Sequence, residues 1–206
     1  MNIILIGGGN IFPPLLKSIL QVKDDTSILL IPFATPMHKR ESWLERLKSA
    51  LSHDHIKLIN IVNENVSREA MIKQFAQSDV LYFTGGRPEQ LLNVLQQKQL
   101  MNTLHDYQGQ VIGYSAGALA ICADCIITKD HQYPETQVIK GLGLVPFSVE
   151  VHYKTAIDIE LLKLSRERTI YASSDHSTLF FDGFSIQFFG EVATFKNEKK
   201  LERNAF

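Results

Sequence analysis

The stretch with the clearest chemical meaning is Gly113-Tyr114-Ser115-Ala116-Gly117, a G-x-S-x-G pentapeptide set between the apolar run Gln110 to Tyr114 and the small residues Ala118-Leu119-Ala120. A serine in this setting suits a nucleophile elbow, in which the chain turns sharply from a buried strand into a helix and holds the serine in a strained conformation. Gly113 and Gly117 would relieve crowding around the turn, and the helix N-terminus leaves the Ala116 N–H free to stabilise an oxyanion. The competing reading is a tight turn with a capping serine. A strand before the motif and a helix after it favour the elbow.

A serine hydroxyl attacks poorly unless a base takes its proton, so a histidine must come from elsewhere. The chain has seven histidines. His38, His53 and His55 fall on or beside polar helix faces, and His105 falls in a helical stretch from Leu100 to Gln108. His131, His152 and His176 follow Ser115 and sit at strand ends or in loops. His152 ends the strand-like Ser148 to Val151, which makes it and His176 equal candidates. Asp130, Glu135, Glu150 and Asp175 are the acids available to orient the base, and spacing does not choose among them.

These side chains need a scaffold, and the pattern of apolar residues supplies one. Asn2 to Ile6, Ile28 to Phe33, Lys57 to Val62, Val80 to Thr84 and Gln110 to Tyr114 are short apolar runs of the kind that form parallel strands buried on both faces. Helical spacing marks Met37 to Ser52, Ser67 to Gln77 and Pro88 to Gln97 between them. Alternating strands and helices imply right-handed crossovers and a mostly parallel central sheet with helices on both faces, an α/β fold. Beyond residue 124 the pattern turns strand-rich: Cys125 to Thr128, Ser148 to Val151, Thr169 to Ala172, Thr178 to Phe181, Ser185 to Phe189 and Glu191 to Phe195, interrupted by a helix from Thr155 to Arg166. Asp182-Gly183 signals a hairpin whose two central residues take positive φ. The C-terminal third is expected to add antiparallel strands to the sheet, and the charged end from Lys196 to Arg203 reads as a solvated tail.

The 206 residues suit one domain spanning 1–206, with the 45% hydrophobic and 21% charged content of an ordinary globular protein. A formal charge of −1 gives no field to gather nucleic acid or anionic lipid, so neither is an expected partner. The first apolar run is too short for a membrane span, lacks a preceding basic region and runs into Gly7-Gly8-Gly9, so a cytoplasmic location is expected. Cys122 and Cys125 are then reduced core residues. Their redox-type spacing follows the elbow helix and so lacks the favourable N-terminal dipole. Gly7-Gly8-Gly9-Asn10 lacks dinucleotide-binding spacing, and Pro13-Pro14 spoil an early helix, so a turn lining the cleft is the better reading. No zinc-type spacing occurs, and neither a metal nor another cofactor is assigned.

Phe83-Thr84-Gly85-Gly86-Arg87 leading into Gln90-Leu91-Leu92, the elbow Gly113 to Ala118, and Val151-His152-Tyr153 together resemble the dipeptidase E family, the aspartyl dipeptidases and cyanophycinases among the serine peptidases. The similarity runs from Gly7 to about Asp175. It implies Ser115 as nucleophile, His152 as general base and short peptides as substrates. Asp130 occupies the family's acidic position, and Asp175 falls where the family carries a glutamate that orients the histidine. Of the two acids, Asp175 is the expected partner of His152, and Asp130 is expected in the site for orientation or substrate contact. Either aspartate could instead be a turn residue bonding its own backbone.

The two glycines at Gly85-Gly86 let a backbone N–H approach a substrate closely, which makes Gly86 a second oxyanion donor beside Ala116. The alternative is a helix-entry turn with Pro88 at the first helical position. Two departures weigh against aspartyl specificity. Tyr153-Lys154-Thr155-Ala156 passes directly into a helix, where the better-known dipeptidases carry a loop with a substrate-binding arginine. Arg87 replaces the asparagine usual after the two glycines. Arg87 and Lys154 are candidate anion contacts, although solvated surface charge explains each more simply. A carboxylesterase or amidase pairing Asp130 with His152, or Asp175 with His176, is the nearest rival, followed by a non-catalytic small-ligand binding protein. The oligomeric state is not specified by these patterns.

Overall fold

The structure is a computed structural model that describes residues 1–10, 26–51 and 56–203. His53, His55 and the Pro13-Pro14 pair lie outside the described residues. The five expected parallel strands are β1 (Ile3–Ile6), β2 (Thr26–Ile31), β3 (Ile56–Ile61), β4 (Val80–Phe83) and β5 (Gln110–Tyr114). The strands that follow are β6 (Asp124–Ile127), β7 (Gln137–Lys140), β8 (Ser148–Glu150), β9 (Ile170–Ser173), β10 (Thr178–Phe181), β11 (Ile186–Phe189), β12 (Val192–Lys196) and β13 (Lys199–Arg203). The helices are α1 (Arg40–Ala50), α2 (Arg68–Ala76), α3 (Pro88–Gln97), α4 (Met101–His105), α5 (Ala116–Ile121) and α6 (Asp158–Leu164). Ser67 caps α2 by accepting the Ala70 N–H, as its residue type favours.

The main sheet has the order β11-β10-β1-β5-β4-β2-β3. Its apolar strands divide their side chains between two cores, because successive residues of a strand point to opposite faces. Ile3 and Leu5 of β1 join Phe83, Leu91, Leu95, Phe75 and the α5 residues on one side. Ile4 and Ile6 join Trp43, Leu44 and Leu47 of α1 on the other. Each large side chain removed wholly from water contributes roughly 1.5 to 3 kcal/mol, so the two faces together secure the sheet.

Strand order also brings the functional loops together. β1, β5 and β4 are adjacent and parallel, with Ile6 beside Tyr114 and Gly113 beside Phe83. The segments that follow them, Gly7 to Asn10, Ser115 and Thr84 to Gly86, therefore leave the sheet at one edge. Ligands of open α/β sheets are held at such carboxyl-terminal edges.

The C-terminal third departs from expectation in four ways. Only the hairpin of β10 and β11 extends the main sheet; β13-β12-β9-β8 form a separate four-stranded sheet and β6-β7 a two-stranded one. β7 had no marked apolar run, since none of its four residues is buried. The supposed tail from Lys196 to Arg203 is the end of β12, a turn and β13, which pairs with β12 from Lys196↔Lys199 to Val192↔Arg203. Asn197 and Glu198 take φ of 52° and 57° in that turn, and a charged sequence suits β13 because it is an edge strand. Finally, the Asp182-Gly183 connection spans residues 182–185, with only Gly183 at positive φ. Asp182 instead accepts hydrogen bonds at Oδ1 from the Phe184 and Ser185 N–H groups, closing the turn through its side chain.

Candidate active site

Ser115 stands between β5 and α5 with φ 50° and ψ −112°, a conformation rare for a residue with a side chain. Its N–H donates to the Ile6 carbonyl at 2.9 Å, and its own carbonyl accepts from Leu119 N at 3.0 Å, so the turn is held from both ends. The flanking glycines are required sterically. A Cβ at Gly117 would lie 2.4 Å from the Phe83 carbonyl oxygen, and one at Gly113 would lie 2.7 Å from Ala118 N. Small residues after the serine thus let α5 pack directly on β4 and β5.

His152 lies two residues beyond the end of β8 and also has positive φ, 53°. Its N–H donates to the Gly7 carbonyl at 3.0 Å, which ties the end of the second sheet to the edge of the first. The imidazole lies between Ser115 and Asp175: Nε2 is 2.9 Å from Ser115 Oγ, and Nδ1 is 2.6 Å from Asp175 Oδ1. Asp175 sits in the turn between β9 and β10, which the Ser177 N–H closes onto the Ser174 carbonyl. With Nδ1 donating to Asp175, Nε2 is the acceptor that faces the serine hydroxyl.

Beneath this line runs Gly7-Gly8-Gly9. A Cβ at Gly8 would fall 2.1 Å from Asp175 Oδ1 and 2.4 Å from the His152 ring, and one at Gly9 would fall 2.4 Å from Nδ1 of His176. Gly8 and Gly9 have φ of 153° and 77°, and the Gly8 carbonyl accepts the His176 N–H at 3.0 Å. Tyr114 Oη donates to the Gly9 carbonyl at 3.1 Å. The glycine run is the bed on which the histidine and aspartate lie. Its position after β1 was legible; its partners, from the far end of the chain, were not.

The remaining sequence candidates fall in different places. Gly86, Ser115, Ala116, Asp130, His131, Glu150, His152 and Lys154 all line one cavity of about 560 Å³. Gly86 has φ 134°, and a Cβ there would strike the Ala34 carbonyl oxygen at 2.0 Å. Gly85 packs on Tyr114, with its Cβ direction 3.5 Å from Ser115 Cβ. The N–H groups of Gly86 and Ala116 have no protein acceptor among the described residues. Arg87 is exposed, occupies the N-cap position of α3 without a side-chain bond to the helix, and is not part of the cavity wall. Asp130 is not brought to His152; its Oδ1 accepts the N–H groups of Gln132 at 2.6 Å and Tyr133 at 2.9 Å, closing its own turn. Tyr133 Oη in turn donates to Glu89 on α3, fastening that loop over the cavity. His176 packs on Gly9 rather than on Ser115, and Glu135 is exposed.

Glu150, on β8 two residues before His152, is buried, and that burial pushes its carboxyl up to about 8. Thr128 Oγ1 donates to its Oε1 at 2.9 Å, which opposes the shift, while Glu160 and Asp130 add to it. Cys122 and Cys125 are buried free thiols, the latter pushed up to about 12 by desolvation, and neither lines the cavity. Among the described residues, no group of three or more His, Cys, Asp or Glu side chains is arranged to hold a metal ion, and no helix is long and apolar enough to cross a membrane.

Residues 3–188 match the model of peptidase family S51. The chain belongs to this family. Peptidase E of Shewanella denitrificans is 25% identical over 129 residues, covering 61% of this chain and 53% of that protein. The matched region thus spans about half the length of that curated relative. Two solved structures share the fold. A putative peptidase E protein from Listeria monocytogenes has a TM-score of 0.74 at 23% identity, covering 91% of this chain and 97% of that one. A peptidase from an acI-B1 actinobacterium has a TM-score of 0.76 at 18% identity, covering 99% and 94%. The resemblance drawn from the Gly85-Gly86 strand end, the elbow and Val151-His152-Tyr153 agrees with this S51 membership.

Proposed function

We propose that the chain is a serine peptidase of short peptides, acting through Ser115, His152 and Asp175 and an acyl-enzyme. The observation that carries this reading is the continuous line from Ser115 Oγ through His152 to Asp175, with contacts of 2.9 and 2.6 Å, at the sheet edge expected to hold substrate. His152 Nε2 accepts the Ser115 proton as the hydroxyl attacks the peptide carbonyl, then returns it to the leaving amine. Asp175 holds the imidazole in the required tautomer and stabilises the imidazolium. The unbonded N–H groups of Gly86 and Ala116 receive the oxyanion, and water releases the acyl group by the same sequence. In this reading Asp130 shapes the cavity wall through its turn.

Aspartyl specificity is not part of the proposal. After His152 the chain enters a 3₁₀ turn at Thr155–Ile157 and then α6, leaving no room in sequence for the arginine-bearing loop. A fluorophosphonate probe tests the nucleophile: Ser115→Ala should abolish labelling and lower peptide turnover by about 10⁴-fold or more. Equal labelling of the variant would overturn the reading. A panel of dipeptides, p-nitroanilides and esters then tests the reaction class, and turnover of esters alone would favour an esterase.

A further inference from the structure

Glu150 is the only acidic or basic side chain that is buried among the described residues, with 4% of its surface exposed. It nonetheless lines the cavity that holds Ser115 and His152. Among those residues its sole hydrogen bond is the one accepted at Oε1 from Thr128, and none of their lysines, arginines or histidines pairs with it. A carboxylate removed from water without a counter-charge is unfavourable and is held toward its neutral form, and a glutamine would fill a purely structural role as well. Apolar Leu119, Ile127 and Ile157 line the same cavity. An aliphatic wall with an acid set in it matches a long side chain that is apolar along its stem and cationic at its tip.

Building on the peptidase reading above, we propose that Glu150 is a specificity residue that accepts the cationic tip of a lysine- or arginine-type side chain in one of the two residues flanking the scissile bond. The α-ammonium of a peptide is the other cation available, but it has no aliphatic stem to occupy the apolar wall. Other charged groups do not cancel the preference. Asp130 and Glu160 reinforce the negative field at Glu150, while Lys129 and Lys154 are exposed and, with His131 and His152, line the cavity without pairing to Glu150. An entering cation stabilises the ionised carboxyl, so the preference should strengthen as pH rises from 6 to 9.

The test compares the dipeptides Lys-Ala, Ala-Lys, norleucyl-Ala and Ala-norleucine, with and without N-acetylation, on the wild type and Glu150→Gln. One lysine position should exceed its norleucine counterpart in kcat/KM by roughly 30-fold or more, as for truncating one partner of a buried charge pair. That ratio should fall to near unity in Glu150→Gln and should survive N-acetylation of the substrate. Binding of the same peptides to Ser115→Ala by calorimetry gives the ratio without turnover. Equal use of lysine and norleucine by the wild type at pH 9 would overturn the proposal even if Glu150→Gln did not fold. A ratio unchanged in that variant would overturn it too, as would a ratio near unity with lysine and norleucine peptides weakened alike by N-acetylation, which would assign Glu150 to the α-ammonium. Fluorophosphonate labelling of Ser115 keeps the two readings apart: labelling without lysine preference removes only the role of Glu150, whereas absent labelling removes the peptidase mechanism.

Discussion

In the mechanism proposed above two aspartates are candidates for the third residue, and their hydrogen bonds separate them. Asp175 reaches His152 Nδ1, whereas Asp130 spends its Oδ1 on two backbone N–H groups of its own turn. Asp175→Asn should therefore lower kcat by about 10² to 10⁴-fold with little change in KM, because an amide favours the wrong imidazole tautomer. For Asp130 the informative pair is asparagine and alanine. Asparagine keeps an acceptor for the turn and should retain activity within about threefold, while alanine loses two bonds of roughly 1 kcal/mol each and should loosen the cavity wall. If asparagine proved as damaging as alanine, the charge of Asp130 would matter rather than its turn. Steady-state kinetics with thermal melts of each variant resolve both cases.

At the scale of elements, the site is assembled where β1, β4 and β5 end and where β8 and β9 arrive from the second sheet. Glycines make these junctions possible. Gly8→Ala would place a methyl group against Asp175 and His152 while leaving Ser115 and its elbow untouched. It should cut turnover and fluorophosphonate labelling by about 10²-fold or more, since a displacement of about 1 Å at a catalytic group has that effect. Gly117→Ala acts differently, because its Cβ would press on the Phe83 backbone inside the core. A loss of about 1 to 3 kcal/mol in denaturant unfolding is expected. The five parallel strands and α2, α3 and α5 follow from local apolar patterns and caps. β13 was hidden because its charged residues resemble a tail until β12 is there to pair with them.

The molecule as a whole sets the protonation of Glu150, which no local pattern reveals. Its carboxyl moves from an ordinary 4.5 to about 8 through burial. Between those values the folded chain binds a proton that the unfolded chain has released, so stability should fall as pH rises through the window and level off above about 8. At roughly 1.4 kcal/mol per pH unit, the change across the window is a few kcal/mol. Glu150→Gln removes this dependence and should melt above the wild type at pH 9, with the two converging near pH 4. Melting curves from pH 4 to 9 check the sign, and a wild type that gained stability relative to the variant across that range would contradict it.

The order of strands and helices, the elbow serine and the glycine pairs at strand ends could be read in one dimension, because hydrophobic period and backbone freedom act over a few residues. On residues alone His152 and His176 are equal candidates, and only resemblance to a family favours His152. The separation of Asp175 from Asp130, the bed formed by Gly7 to Gly9 and the burial of Glu150 depend on contacts between segments far apart in the chain. They exist only once β8 and β9 form a second sheet and Gly7 accepts the His152 N–H. Proximity of that kind is created by closing long loops against chain entropy, and it is decided by the packing of the whole fold rather than by any one stretch of sequence.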